Sequence, residues 1–363
     1  MLAKLAIPIP FEIALPEAVE YRLFSFRAEG YEIRFDIPGR LEKPPTSTRG
    51  VHVLLDEKPA IQADVLRIEF KKEIFERREN EPMDPPEEII RAAVEYFIGR
   101  LRYAANAFQV QPLKFPKCAW SLVYLNDDGT DLTAQPGHLR MRSSLKNTVS
   151  VLACDARLWE FIFTLPPKFE PPAWHTLLLD SRASLPHVGT AVVLATTALE
   201  VFIGALLTEL SKGISMPDLL WEWINERDND HYKQPSVAEQ FDTLLKVMTG
   251  RSLKEEVTLW EAFRKLKNAR NNFVHRGIAR TGSTASELSD LEALALVGQA
   301  EGIVAKIREW IPEELRWPMF TSNTKIQFTL PLIPQIIREP SKVALSPVTA
   351  VMNSNATEEK PLG

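Results

Sequence analysis

The first half of the chain alternates hydrophobic and polar residues with a period of two. The clearest runs are residues 31–37, where Tyr31, Ile33 and Phe35 are separated by charged residues, and residues 66–70. This alternation predicts strands with one buried face. We predict further strands at residues 6–13, 21–26, 51–55, 118–125, 139–142 and 149–153.

One helix interrupts these predicted strands. Asp84 is placed to cap it, Pro85 suits its first position, and hydrophobic residues from Ile90 to Phe108 recur at helical spacing. Residues 1–165 are therefore predicted to form a β-rich domain with one long helix. Because these residues show no catalytic combination of side chains, we assign the domain a sensor or regulatory role.

The second half of the chain repeats its hydrophobic residues every three or four positions, which predicts helices. Ser236 and Ser252 each begin a capping-box pattern, and Gly250 and Gly277 are suited to the residue after a helix end. We predict helices at residues 216–230, 236–250, 252–277 and 287–310.

Four prolines within residues 166–172 mark a stiff, extended connector between the two halves. The fold class is therefore α+β with two domains: the β-rich domain, a Pro-rich linker at residues 166–180 and an all-α bundle at residues 181–315. Residues 316–363 are predicted to form an extended arm, which packs on a neighbour over residues 325–337, and then a disordered tail.

A long apolar segment begins the bundle, and Glu200 is the only formally charged residue between Arg182 and Glu209. The segment is long enough to span a membrane. However, Glu200 and the neighbouring His187, glycines and threonines favour a buried bundle helix. A carboxylate in such surroundings requires a cation or becomes protonated. Arg270 is one candidate partner; the other interpretation is that Glu200 only orients the bundle.

The residues best equipped for chemistry lie at the end of the helix predicted at residues 252–277. Arg270 falls on its apolar stripe, where a guanidinium must be paired or face a polar cleft. Asn271 and His275 are four apart and share a face. Arg270 and His275 are five apart, so they reach one phosphate only if the last turn deforms or a second copy contributes. The alternative is that these residues only complement the helix dipole.

The charge around this motif is distinctive. Residues 262–286 contain no acidic side chain, although the whole chain has a formal net charge of −5. Such a confined basic patch suits the capture of a polyanion, while the alternative is an ordinary solvated helix face. We predict four RNA-binding residues in it: Arg264, Lys267, Arg276 and Arg280.

The Arg270–His275 motif and the apolar helix around Glu200 resemble the HEPN superfamily, the higher eukaryote and prokaryote nucleotide-binding domains. These are small helical bundles with an Arg-x(4–6)-His motif, often with a polar residue after the arginine, as Asn271 is here. The β-rich domain before the bundle resembles the layout of ApeA-type abortive-infection proteins. Some toxin members carry a tyrosine two residues after the histidine, but this chain has Gly277 at that position. Silencing by nucleotide transfer onto such a tyrosine is therefore not expected.

The resemblance implies a metal-independent endoribonuclease that acts as an antiviral (abortive-infection) or toxin effector. Arg270, Asn271 and His275 would be its catalytic residues, and Glu200 a structural residue. It also implies RNA as substrate, a homodimer or higher homo-oligomer, and a trigger or antitoxin partner on the first domain. The alternatives are a non-catalytic HEPN-like module that dimerises and binds RNA or nucleotide, and an interaction protein whose Arg270 only pairs with Glu200.

Composition narrows the remaining possibilities. Only Cys118 and Cys154 occur, which fits a reducing cytoplasm rather than a disulfide framework. The sequence shows no secretory signal. It also lacks the GxxxxGK[ST], GxGxxG, HExxH and paired CxxC motifs, so we expect no cofactor and no metal.

Overall fold

The structure is a computed structural model of the 363-residue chain. It describes residues 1–17, 19–39, 52–73, 75, 85–113, 120–130, 151–213, 224, 235–282, 285–322 and 324–329. The predicted strand at residues 139–142, almost all of the predicted helix at 216–230 and the predicted tail beyond residue 329 lie outside this description. Helices and a mainly antiparallel sheet together make the chain α+β.

The sheet contains most of the strands that the alternating pattern predicts. Its strands from the first half are β1 (Leu2–Pro16), β2 (Phe24–Ala28), β3 (Tyr31–Gly39), β4 (His52–Leu55), β5 (Lys58–Lys71), β6 (Ser121–Leu125) and β7 (Val151–Ala153). The central order is β2-β3-β5-β1-β6, with β7 parallel to β1 and β4 paired to β5. Alternate residues of β1 are buried, as a strand with one core face requires.

An eighth strand comes from the far end of the chain. Strand β8 (Ile326–Thr329) pairs antiparallel with β4, placing Phe328 opposite Val53. The Lys325 backbone N–H also donates to the Asp56 carboxylate at 2.9 Å. The sequence predicted an extended arm at residues 325–337; the described part of it is extended and pairs with the chain's own sheet.

Helix α1 (Glu87–Ala104) covers one face of the sheet. Its buried Val94, Phe97 and Leu101 belong to the same core as Ile7 and Phe35 of the strands. Each large apolar side chain fully buried there contributes about 1.5–3 kcal/mol. The helix begins slightly later than predicted, because Pro86 occupies its N-cap and the predicted cap at position 84 lies outside the described residues.

Two helices occupy residues that the sequence did not predict to be helical. Helix α2 (Ala156–Thr164) follows β7, and the Asp155 side chain caps it by accepting from the Leu158 backbone N–H at 2.8 Å. Helix α3 (Ala173–Ala183) begins after Pro172 and takes up much of the predicted linker. The connector is therefore shorter than the sequence indicated, and the prolines end where α3 begins.

A second hydrophobic core forms among the helices of the second half. They are α4 (Val188–Gly213), a three-part helix α5 (Val237–Glu239, a π turn at Gln240–Leu244, and Leu245–Thr249), α6 (Val257–Arg276) and α7 (Asp290–Trp310). The capping box at Ser236 is confirmed. The capping box predicted at Ser252 does not form. The Ser252 hydroxyl instead caps a short 3-10 turn, Leu253–Glu255, and donates to Asp242 at 2.6 Å. Helix α6 therefore begins later than predicted, at Val257.

Helix α4 is long and apolar enough to span a membrane, and the candidate segment is Val188–Lys212. The most apolar window of this segment has a mean hydropathy of 2.0. However, 56% of that window is buried inside the protein. Residues such as Leu199, Phe202 and Leu206 lie in the second core, packed against α6 and α7. This burial is typical of a core helix, and the sequence likewise favoured a buried helix at these residues.

Candidate active site

The end of α6 is a regular helix up to its last residue. It ends at Arg276, and Gly277 adopts the left-handed conformation with φ of 73°, its N–H donating to the Phe273 carbonyl at 2.8 Å. The last turn is therefore not deformed. Because each residue of an α-helix turns about 100°, Arg270 and His275 are separated by roughly 140° around the axis. Of the two routes by which they could meet, only a second copy remains.

Arg270 is half-buried beside the second core, as its place on the apolar stripe predicts. Its Nη1 donates to the Asn271 Oδ1 at 3.1 Å, and its Nε is buried without a hydrogen-bond partner. No described carboxylate lies within ion-pair distance of it. The guanidinium thus retains donors that no described side chain uses.

Asn271 connects the arginine to the histidine. Its carbonyl oxygen accepts from Arg270, so its amide nitrogen remains as a donor on the face that it shares with His275, one turn further on. His275 itself is exposed. Asn271 and His275 therefore share one face of α6, about 40° apart, while Arg270 lies about 100° from Asn271 around the axis and is bonded to it.

The start of α4 packs very closely against this helix end. A Cβ atom at Gly189 would lie 2.0–2.3 Å from three ring carbons of Phe273, a distance that real atoms do not reach. Only glycine therefore allows the two helices to approach as they do. Phe273 lies two residues before His275, so this contact fixes the part of α6 that carries the motif. Sequence analysis did not identify the role of Gly189, because nothing local distinguishes it from other glycines in helices.

The suggested pairing of Glu200 with Arg270 is wrong. Neither residue is in an ion pair with the other, and Glu200 makes no hydrogen bond or ion pair with any described residue. The contact between Gly189 and Phe273 explains why. Glu200 lies eleven residues beyond Gly189, which is about 16 Å along the helix axis, whereas Arg270 is less than one turn from Phe273. The remaining interpretation, that Glu200 orients the bundle, has no such contact to support it.

The basic residues predicted to bind RNA surround this helix end. Arg264 and Arg276 are exposed, while Lys267 and Arg280 are half-buried. In the part of the chain that the structure covers, none of these four forms an ion pair with a carboxylate. Their charge is therefore not neutralised locally by the described carboxylates.

Two asparagines that the sequence analysis did not identify hold the following loop against α6. Asn268 donates to the Thr281 carbonyl at 3.1 Å, and Asn272 donates to the Arg280 carbonyl at 2.9 Å. The loop consequently runs back along the helix and keeps Arg280 close to it. The spacing of four between these amides could have indicated a shared face, but not which backbone carbonyls they would bind.

Apolar side chains are exposed near the same end of the bundle. Val274 is 55% exposed, and Leu291 and Leu294 at the start of α7 are 78% and 45% exposed. The Leu288 N–H donates to the Ala279 carbonyl at 2.9 Å, so the start of α7 lies next to the loop that leaves α6. The surface near the motif therefore includes exposed apolar side chains.

No protein-family model, curated protein or solved structure matches this chain. The similarity to the HEPN superfamily accordingly depends on the motif and its setting alone. Within the described ranges, no group of three or more His, Cys, Asp or Glu side chains is arranged to hold a metal ion.

Proposed function

We propose that the chain is a metal-independent endoribonuclease of the HEPN type, which cuts RNA by attack of a ribose 2′-hydroxyl on the adjacent phosphate. The observation that carries the proposal is the hydrogen bond from Arg270 to Asn271, which shares a face of α6 with His275 on an unneutralised basic surface. By analogy with the superfamily, the biological role is that of an antiviral or toxin effector in the cytoplasm.

Each residue has a defined part in this reaction. His275 accepts the proton of the 2′-hydroxyl, the general-base role that histidine takes most often in enzymes. The 2′-oxygen then bonds to phosphorus and the bond from phosphorus to the 5′-oxygen breaks, leaving a 2′,3′-cyclic phosphate. The 5′-oxygen takes a proton from solvent or from the protonated histidine. Arg270 stabilises the charge that develops on the non-bridging oxygens, and Asn271 donates to one of them.

The active unit is a homodimer in this proposal. A single copy of α6 directs Arg270 and His275 about 140° apart, so one substrate phosphate is reached by the arginine of one copy and the histidine of the other. The exposed Val274, Leu291 and Leu294 provide an apolar surface beside the motif for the second copy. The β-rich half would then receive a trigger or a neutralising partner.

The alternative function is a HEPN-like module that dimerises and binds RNA or a nucleotide without cutting it. The basic surface alone is sufficient for binding. The interaction protein whose Arg270 only pairs with Glu200 loses its basis, since that ion pair does not form. Catalysis is preferred over binding because Arg270 is bonded to Asn271, and Asn271 shares a helix face with His275, so that two facing copies supply all three groups to one site in this proposal.

The decisive experiment is incubation of labelled RNA with the full-length protein in EDTA. We expect wild type to produce 2′,3′-cyclic phosphate ends, and Arg270→Ala and His275→Ala to lose at least about 100-fold in rate, the usual contribution of such groups. Arg91→Ala, an exposed arginine on α1 paired only with Glu87 at 3.3 Å, is the charge-matched control and should cut normally.

A second substrate tests the chemistry itself. The DNA strand of the same sequence, which has the same phosphates but no 2′-hydroxyl, should bind and remain intact. Cleavage of that strand would contradict 2′-hydroxyl attack. Binding of ordinary RNA by wild type without any cleavage would instead establish the alternative, the non-catalytic module.

A further inference from the structure

The loop at residues 277–282 is fastened along one side of α6 by two side-chain amides. Asn268 donates to the Thr281 carbonyl at 3.1 Å, and Asn272 donates to the Arg280 carbonyl at 2.9 Å. The two asparagines are four residues apart, so they lie on one side of the helix. The loop therefore runs back along this side, antiparallel to α6.

Other contacts fix only the first part of this loop. Gly277 caps α6 in the left-handed conformation, with φ of 73°. Ala279 is 2% exposed in the second core, and its carbonyl accepts from the Leu288 N–H at 2.9 Å. Among the residues that the structure describes, the hydrogen bonds of Arg280 and Thr281 are those with the two asparagines. The position of these two loop residues therefore depends on the asparagines.

The side of α6 that carries the loop borders the face that carries His275. Each residue of an α-helix turns about 100° and rises about 1.5 Å. Asn268 is therefore separated from His275 by about 20° around the axis, and Asn272 by about 60° around it and about 4.5 Å along it. Since the Arg280 carbonyl is bonded to Asn272, Arg280 lies beside the proposed general base.

Arg280 is available to a phosphate at this place. It is half-buried, and no described carboxylate forms an ion pair with it. A guanidinium binds phosphate oxygens through strong, charge-assisted hydrogen bonds. A side chain whose backbone is already held also loses less freedom on binding than one in a free loop.

We propose that Asn268 and Asn272 are positioning residues, which hold Arg280 so that its guanidinium binds a phosphate of the RNA strand. This phosphate is the neighbour of the one at His275. The inference rests on the RNA substrate of the proposed function, but it does not require that the RNA be cut. An amide carries no charge, so the contribution of both asparagines passes through the arginine.

The test measures how salt weakens binding of single-stranded RNA to the full-length protein. The RNA is 2′-O-methylated, so it keeps its phosphates and has no free 2′-hydroxyl for the cleavage reaction. The logarithm of the affinity falls with the logarithm of the salt concentration, with a slope of about 0.7 for each phosphate contact. Arg280→Gln should make this slope smaller by about 0.7. The double variant Asn268→Ala, Asn272→Ala removes no charge but should make it smaller by the same amount.

Combination of the three substitutions shows whether the asparagines act through the arginine. Adding the two alanines to Arg280→Gln should leave the slope as it is in Arg280→Gln alone. Gln111→Ala is the matched control, because it also removes a bond from a side-chain amide to a carbonyl, that of Phe108 at 2.6 Å. It lies outside the basic patch and should not change the slope. Hydrogen exchange should become faster over residues 280–282 in the double-alanine variant, while α4 stays protected.

The outcomes separate this inference from the nuclease proposal. A wild-type slope in the double-alanine variant overturns the inference even if wild type cuts ordinary RNA, since a purely structural role lowers only the melting temperature. A further decrease when the alanines are added to Arg280→Gln also overturns it, and so does an absence of RNA binding by wild type. The expected slopes in a protein that never cuts RNA would support the inference and contradict the nuclease.

Discussion

Substitution of Gly189 by alanine should destabilise the protein and impair the end of α6. The new Cβ would lie 2.0–2.3 Å from ring carbons of Phe273, so the ring must move or the helices must separate. Overpacking of this kind costs typically about 1–3 kcal/mol. The benefit of replacing a helical glycine by alanine, about 0.5–1 kcal/mol, is smaller. We therefore expect a net loss in the free energy of unfolding.

The matched control is Gly204→Ala in the same helix, where an added Cβ has no atom within 4 Å. Without a clash, only the helix-propensity gain of about 0.5–1 kcal/mol remains, so the two alanine variants should change stability in opposite directions. Equilibrium unfolding in urea, followed by circular dichroism, measures both. Because Phe273 precedes His275 by two residues, Gly189→Ala should also slow RNA cleavage, while Gly204→Ala should not.

A double-mutant cycle identifies the cause of the loss. In a Phe273→Ala background the ring is gone, so adding Gly189→Ala should cost nothing further or stabilise slightly. Contacting residues show coupling energies of about 0.5–3 kcal/mol in such cycles. An equal cost of Gly189→Ala in both backgrounds would refute the reasoning, since the loss could not then arise from the contact with Phe273.

Three further outcomes are expected. Heterodimers isolated from co-expressed Arg270→Ala and His275→Ala chains should regain about half of the wild-type cleavage rate, because one of two composite sites is intact; no recovery would contradict a site shared between copies. The logarithm of the affinity for single-stranded RNA should fall less steeply with the logarithm of the salt concentration in Arg264→Gln. The slope should be smaller by about 0.7, the value for one lost phosphate contact. Lys254→Gln, which lies outside the basic patch, should leave this slope unchanged. The pKa of His175 is lowered to about 4 in the folded protein, so the unfolded chain takes up a proton first as the pH falls below 6.5. The free energy of unfolding of wild type should therefore fall by about 3 kcal/mol between pH 6.5 and 4. His175→Phe should lose less stability over this range, as measured by urea unfolding at each pH.

The periodic patterns predicted the strands well, because a half-buried strand must alternate. Tyr31, Ile33 and Phe35 are buried, and the strand that contains them has the expected face. The patterns failed where a helix is short. Helix α2 has nine residues and α3 eleven, and the prolines before α3 indicated a connector although Pro172 in fact precedes its first turn. A short helix shows too few turns for its period to be recognised.

The sequence predicted that Arg270 lies beside the core, but it did not predict the geometry around that residue. Arg270 was expected beside the core and is half-buried there. The choice of Asn271 as its hydrogen-bond partner instead of Glu200 depends on the relative position of α4 and α6, which a contact distant in sequence sets. The same holds for Asn268 and Asn272, whose amides bind carbonyls of the loop that follows α6.

The return of β8 to the sheet has a mechanical consequence. Arg100 of α1 binds the carbonyls of Leu165 and Pro167 at 2.9 and 3.1 Å, which anchors the chain where it leaves the sheet region, and β8 anchors it where it comes back. A third connection is the ion pair between Arg102 of α1 and Asp180 of α3, with an Nη2–Oδ1 distance of 2.6 Å. Contacts distant in sequence therefore hold the helices against the sheet at several places, and truncation before β8 should weaken this attachment without abolishing it.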